Sequence, residues 1–136
     1  MIHSRTVLIA EDDQEVRDAL AELIGANGFE VVGTAANGRD ALYAAISTEP
    51  DVAILDYQMP GMDGITLAEA IAQHLPSAQV IMLTAYDETS LSLEARAAGI
   101  FAFLVKGSPP SHLLMAIDDA IRQKRELTPE PLGGLP

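Results

Sequence analysis

Cysteine and tryptophan are missing from this 136-residue chain, and basic residues are scarce: 8 Lys and Arg stand against 20 Asp and Glu, a formal net charge of −12. Without cysteine there are no disulfides and no thiolate metal sites, which suits a reducing compartment. The shortage of cations leaves no basic stripe to displace counterions from phosphates, so nucleic-acid binding by this chain is not expected. No apolar run approaches the roughly 20 residues of a membrane span, and the opening MIHSRTVLIAEDD lacks the apolar core of a signal peptide. A cytoplasmic protein without a membrane role is therefore expected. Apolar side chains are plentiful, at 49% of residues, enough for the core of one domain.

Short apolar runs alternate with longer segments of helical period. The runs cover residues 6–10, 30–34, 52–55, 80–83 and 102–105. Three are nearly pure hydrophobe, as parallel strands covered on both faces require. The run at 30–34, EVVGT, is more polar and is expected to be less buried. Between the runs, Val16, Leu20, Leu23 and Ile24 sit at helical spacing, as do Leu67, Ala70 and Ile71, and again Leu113, Leu114, Ile117 and Ile121. Gly25 and Gly28 can close the first helix, Asn37-Gly38 can open the second, and Pro109-Pro110 can start the last. The pattern reads as (βα) five times over, an α/β sheet with helices on both faces. One domain is expected over 1–126. The remainder, 127–136, reads LTPEPLGGLP, a flexible tail or the start of a linker.

In open parallel α/β sheets, ligands bind at the carboxyl ends of the strands. Glu11-Asp12-Asp13 follow the first apolar run, Asp56 the third, Thr84 the fourth and Lys106 the fifth. Parallel strands gather these groups at one edge. A single lysine does not balance so many acids, and all-oxygen ligands favour Mg²⁺ over zinc. Such a set suits phosphoryl chemistry. An ionised aspartate can attack phosphorus to form an acyl phosphate, provided a metal and a cation screen the anionic donor. Asp56 is the expected acceptor because it follows the middle run. In a flavodoxin-like sheet of order 2-1-3-4-5 it lies beside the acids of the first strand.

From about Thr6 to Arg125 the sequence resembles the receiver domains of bacterial two-component response regulators. VLIAEDD, ILDYQMPGMDG, VIMLTAYD and FLVKG match in order. The resemblance implies a phosphorylated Asp56, with Mg²⁺ held by Glu11, Asp12, Asp56 and the backbone carbonyl of Gln58. Asp12 is then the direct ligand, and Glu11 acts mostly through water. Thr84 becomes the switch hydroxyl, Lys106 the phosphate-binding lysine and Phe103 the aromatic switch residue. Gln58 and Tyr86 flank the path of the attacking water and tune hydrolysis. The implied partners are a sensor histidine kinase or phosphotransfer protein, a downstream output domain or protein, and a second copy on phosphorylation. The chain is then a signalling switch rather than a classical enzyme. One departure is Lys106-Gly107, where many receivers carry proline after the lysine; glycine frees that loop.

Structural readings stand beside these. Asp13 suits the N-cap of the first helix, Phe103 suits the core, and the three histidines lack ligand spacing. Arg122, Lys124 and Arg125 suit the carbonyl end of the last helix. An aspartyl-phosphate phosphatase is disfavoured because Gln58, two residues past Asp56, cannot serve as a general acid. A pseudo-receiver that binds partners without being phosphorylated is the alternative function.

Overall fold

The computed structural model of the chain describes residues 5–85 and 98–127. The apolar runs pair side by side as β1 (Thr6–Ala10), β2 (Glu30–Ala35), β3 (Val52–Asp56), β4 (Gln79–Thr84) and β5 (Ala102–Val105). All four pairings are parallel, in the order β2-β1-β3-β4-β5. This is the flavodoxin-like order expected from the sequence. The helices are α1 (Gln14–Ala26), α2 (Gly38–Thr48), α3 (Gly64–His74) and α4 (Pro110–Leu127). The helix expected between β4 and β5 falls within 86–97, outside the described residues.

Local chemistry sets the helix ends. The side chains of Asp13, Asn37 and Asp63 accept backbone amides at the starts of α1, α2 and α3, satisfying donors that a helix leaves open. Asp13 Oδ1 takes two of them, from Glu15 at 2.9 Å and Val16 at 3.2 Å. Proline at the first position of α4 loses no hydrogen bond there.

Alternation along the strands divides the core into two layers. Val7 and Ile9 of β1, Val52 and Ile54 of β3, and Ile81 and Leu83 of β4 pack with Ile24 of α1 and with Leu113, Ile117 and Ile121 of α4. Their neighbours Leu8, Ala10, Ala53, Leu55, Val80 and Met82 face Ala41 and Ala45 of α2 and Ile65, Leu67 and Ile71 of α3. β3 is buried along its whole length, whereas β2 exposes Glu30 and Thr34, as its polar composition predicts.

At the amino end of the sheet, Asp51 is buried and accepts both the amide and the hydroxyl of Thr6, at 2.9 and 3.1 Å. Lys124 of α4 closes on the same carboxylate at 2.6 Å. Lys124 was expected to face the carbonyls of its own helix end; its stem instead spans to the sheet. Arg122 pairs along α4 with Asp118 and Asp119.

Candidate functional site

The opposite, carboxyl end of the sheet carries the acids. Three alternation series run off the strands toward the α1 and α4 layer: Val7, Ile9, Glu11; Val52, Ile54, Asp56; and Ala102, Leu104, Lys106. Parallel pairing therefore delivers one residue of each series to a common point. Lys106 Nζ lies 3.1 Å from Asp56 Oδ2 and 3.2 Å from both carboxylate oxygens of Glu11. Oxygens of Glu11, Asp12 and Asp56 lie within 4.8 Å of one another, with Glu11 and Asp56 buried and Asp12 exposed. An open cleft of about 340 Å³ lies over them, also lined by Asp13, Val16, Gln58 and Ala85.

Backbone contacts hold this rim. The amide of Glu11 donates to Ala35 at 2.9 Å, that of Tyr57 to Leu83 at 2.8 Å, and that of Lys106 to Thr84 at 2.6 Å, extending the ladders one residue past the strands. The Gln58 amide donates to Asp56 Oδ1 at 3.3 Å. Behind Asp56, α3 begins so close that a Cβ on Gly64 would stand 2.7 Å from the Asp56 carbonyl oxygen. Only glycine permits that approach. Gly107 has φ +89°, a conformation closed to proline, whose ring holds φ near −65°. The glycine departure noted in the sequence thus has a direct conformational basis.

The electrostatics are unbalanced. Glu11 is pushed up to about 7 from an ordinary 4.5, first by burial and then by its hydrogen bond to Asp56 and the Asp56 charge, against the pull of Lys106. Burial pulls Lys106 down, but the hydrogen bonds and charges of Asp56 and Glu11 outweigh it and hold the ammonium above its ordinary value. Three carboxylates against one ammonium leave an excess of two negative charges, the charge of one divalent cation. The donors fit a divalent cation of hard character. All are oxygens, three carboxylates converge, and among the described residues no imidazole or thiolate competes.

The other expected residues divide by face. Thr84 continues the Val80, Met82 series, on the side opposite Asp56, and its side chain is buried. Ala85, next in the chain, supplies the cleft wall. Phe103 pairs in register with Met82 and packs in the same layer, so Thr84 and Phe103 are diagonal neighbours on the far face. Gln58 lies exposed at the rim, while Tyr86 lies outside the described residues. Asp13 caps α1, as its place in the sequence suits, while lining the cleft.

Residues 7–118 match the sequence profile of the response regulator receiver domain. The chain belongs to that family. Receivers are the signalling switches of two-component response regulators, and the likeness extends over most of this one. It is 42% identical over 124 residues to the transcriptional regulatory protein PdtaR of Mycobacterium tuberculosis, covering 91% of the chain and 60% of PdtaR. The chemotaxis protein CheY of Thermotoga maritima is 34% identical over 114 residues, covering 84% of the chain and 95% of CheY. A receiver domain protein from Clostridium thermocellum superposes with a TM-score of 0.84 at 27% identity, over 90% of this chain and 98% of its own. The receiver domain of the response regulator NarL from M. tuberculosis gives 0.83 at 32% identity, over 89% and 98%. The receiver thus spans about 60% of the length of PdtaR. Among the described residues no helix is long and apolar enough to cross a membrane.

Two residues of the rim and its opposite end escaped the sequence reading. Arg17 donates to backbone oxygens of the acid loop, and Asp51 holds Lys124 across 73 residues of chain. Neither stands in a motif, and each depends on a long side chain reaching an element that spacing does not reveal.

Proposed function

We propose that this receiver accepts a phosphoryl group on Asp56 and changes its partner-binding surface in response. The observation that carries the reading is the convergence of Lys106 with the Asp56 and Glu11 carboxylates at the carboxyl edge, 3.1 to 3.2 Å from the ammonium. An Asp56 oxygen attacks phosphorus as the bond to the donor breaks: a P–N bond if the donor is the histidine of a sensor kinase or phosphotransfer protein, a P–O bond if it is a small acyl phosphate. Glu11, Asp12, Asp56 and the Gln58 carbonyl are the groups that would hold Mg²⁺. The ion supplies a hard positive charge that screens the carboxylates from the incoming anion. Lys106 moves its ammonium from Asp56 to the new phosphoryl oxygens. Glu11, already poised between protonation states, stays at the rim as an outer partner.

The added charge also draws the Thr84 hydroxyl toward the rim. Because Thr84 and Phe103 share the far face, movement of one alters the packing of the other. An output domain, a separate protein or a second copy of the chain reads the altered surface. Gln58, exposed at the rim, tunes the lifetime of the acyl phosphate; Tyr86, the other residue expected to do so, lies outside the described residues. A cytoplasmic exchange with a kinase is the setting this reading implies.

The test uses wild type and Asp56→Asn, each with a small acyl phosphate and Mg²⁺, read by intact mass and by released phosphate. Stable modification of wild type alone supports the switch. Rapid phosphate release without accumulation points to a phosphatase, and absence of any modification points to a binding module.

A further inference from the structure

The acid loop lies beside a cation that pairs with none of its acids. Arg17, in the first turns of α1, folds back so that Nη1 donates to the carbonyl oxygen of Glu11 at 2.8 Å and, at the long limit of a hydrogen bond, to that of Asp12 at 3.5 Å. Among the described residues it forms no ion pair with a carboxylate. A guanidinium close to acids ordinarily takes a bidentate carboxylate partner. Here it spends its donors on the main chain and none on the Glu11 and Asp12 carboxylates.

The two carbonyls it takes belong to the two residues that bring carboxylates to Asp56. The Glu11 amide is fixed on Ala35 at 2.9 Å, and the Arg17 amide is fixed on the Asp13 carbonyl at 2.9 Å. Between those anchors the loop has lost its sheet partner and has not yet become helix. The Arg17 side chain ties the carbonyls of this stretch, beside the Asp13 cap.

We propose that Arg17 is a positioning residue. It holds the Glu11–Asp12 backbone so that their carboxylates meet that of Asp56 around a divalent cation, while its own charge offsets part of their repulsion. The inference rests on the metal-binding reading above.

Charge and position act with opposite sign, which makes the idea testable. If Arg17 were only a nearby positive charge it would repel a dication, and its removal would tighten Mg²⁺ binding. If it were only a helix-end hydrogen bond, its removal would lower stability and leave affinity alone. A positioning role predicts weaker binding, on the order of tenfold, as when outer-shell supports of metal ligands are lost. Isothermal titration with Mg²⁺ of wild type, Arg17→Ala and Arg17→Lys, with urea unfolding in chelator as the check on folding, separates these. The expected result is loss in Arg17→Ala and partial recovery in Arg17→Lys, whose ammonium still donates to the Glu11 carbonyl. Should Arg17→Ala fail to fold, Arg17→Met, which keeps the apolar stem but has neither charge nor donor, takes its place in the same titration. Affinity equal to or tighter than wild type in the neutral variant overturns the positioning role and leaves the metal site standing. Failure of wild type to bind Mg²⁺ removes the metal reading and the inference with it.

Discussion

At the amino end of β3, Asp51 meets Lys124; at the carboxyl end, Asp56 meets Lys106. Both aspartates are buried and both lysines arrive from distant chain. Their surroundings differ. Asp51 meets the Lys124 ammonium and takes two further hydrogen bonds from Thr6, so its charge is met by a cation and its lone pairs by donors. Asp56 shares its ammonium with Glu11, and Asp12 stands within reach of both. Matched charges tie elements together, whereas the surplus acids at the other end leave room for a cation and an anionic group that arrive later. The same two residue types thus serve stability at one end and reactivity at the other, according to how many neighbours compete for the lysine.

That contrast can be broken at either end. Lys106→Met is expected to slow phosphoryl transfer to Asp56 by about a hundredfold, since a single preorganised charge facing a transferring group is worth about that much. Rates of acyl-phosphate labelling at saturating Mg²⁺ measure it. Asp51→Ala removes a carboxylate from a partly buried lysine and two hydrogen bonds from Thr6, and should cost about 3 kcal/mol in urea unfolding. The labelling rate of the molecules that remain folded should match wild type. If Asp51→Ala instead slowed labelling at unchanged stability, the division between the two ends would be wrong.

Glu11 sharpens the contrast through pH. Its folded-state value near 7 lies above the ordinary 4.5, so between these pH values the folded chain holds more proton than the unfolded one. Stability from this group is then full below about pH 4.5 and is lost as pH rises through 7. Urea melts in chelator should show wild type losing up to about 3 kcal/mol across that window relative to Glu11→Gln, which has no proton to lose. A parallel slope in both proteins would place the titration elsewhere. The smallest effect is expected at Asp13. Asp13→Ala should cost about 1 kcal/mol through the lost cap, and Asp13→Asn only a few tenths because asparagine caps equally well. Equal losses in the two would show that the charge of Asp13, not its capping oxygen, is what α1 uses.

Much of this was legible in the chain. The run at 52–55 is observed as Val52–Asp56, one residue longer, because the ladder continues onto Leu83 through the aspartate itself. Parallel strands buried on both faces read as unbroken hydrophobe, so their ends, and the polar residues placed there, stand out. Glu11, Asp12, Asp56 and Lys106 could be found by that rule, and they converge. Thr84 stands at the same edge by the same rule, yet alternation turns it to the other face beside Phe103. Lys124 reads as an ordinary helix-end cation and Arg17 goes unmarked, because nothing in spacing says where a long side chain folds back or across.

Order and type of elements, the edge at which the polar residues collect, and the residue types available for phosphoryl chemistry were set by hydrophobic period and punctuation, which act locally along the chain. Which carboxylate shares its lysine, which acid is driven toward protonation and which arginine braces the loop were decided only when the strands paired. Those properties depend on distances of a few ångströms between side chains far apart in sequence, and on how much water the surrounding layers exclude.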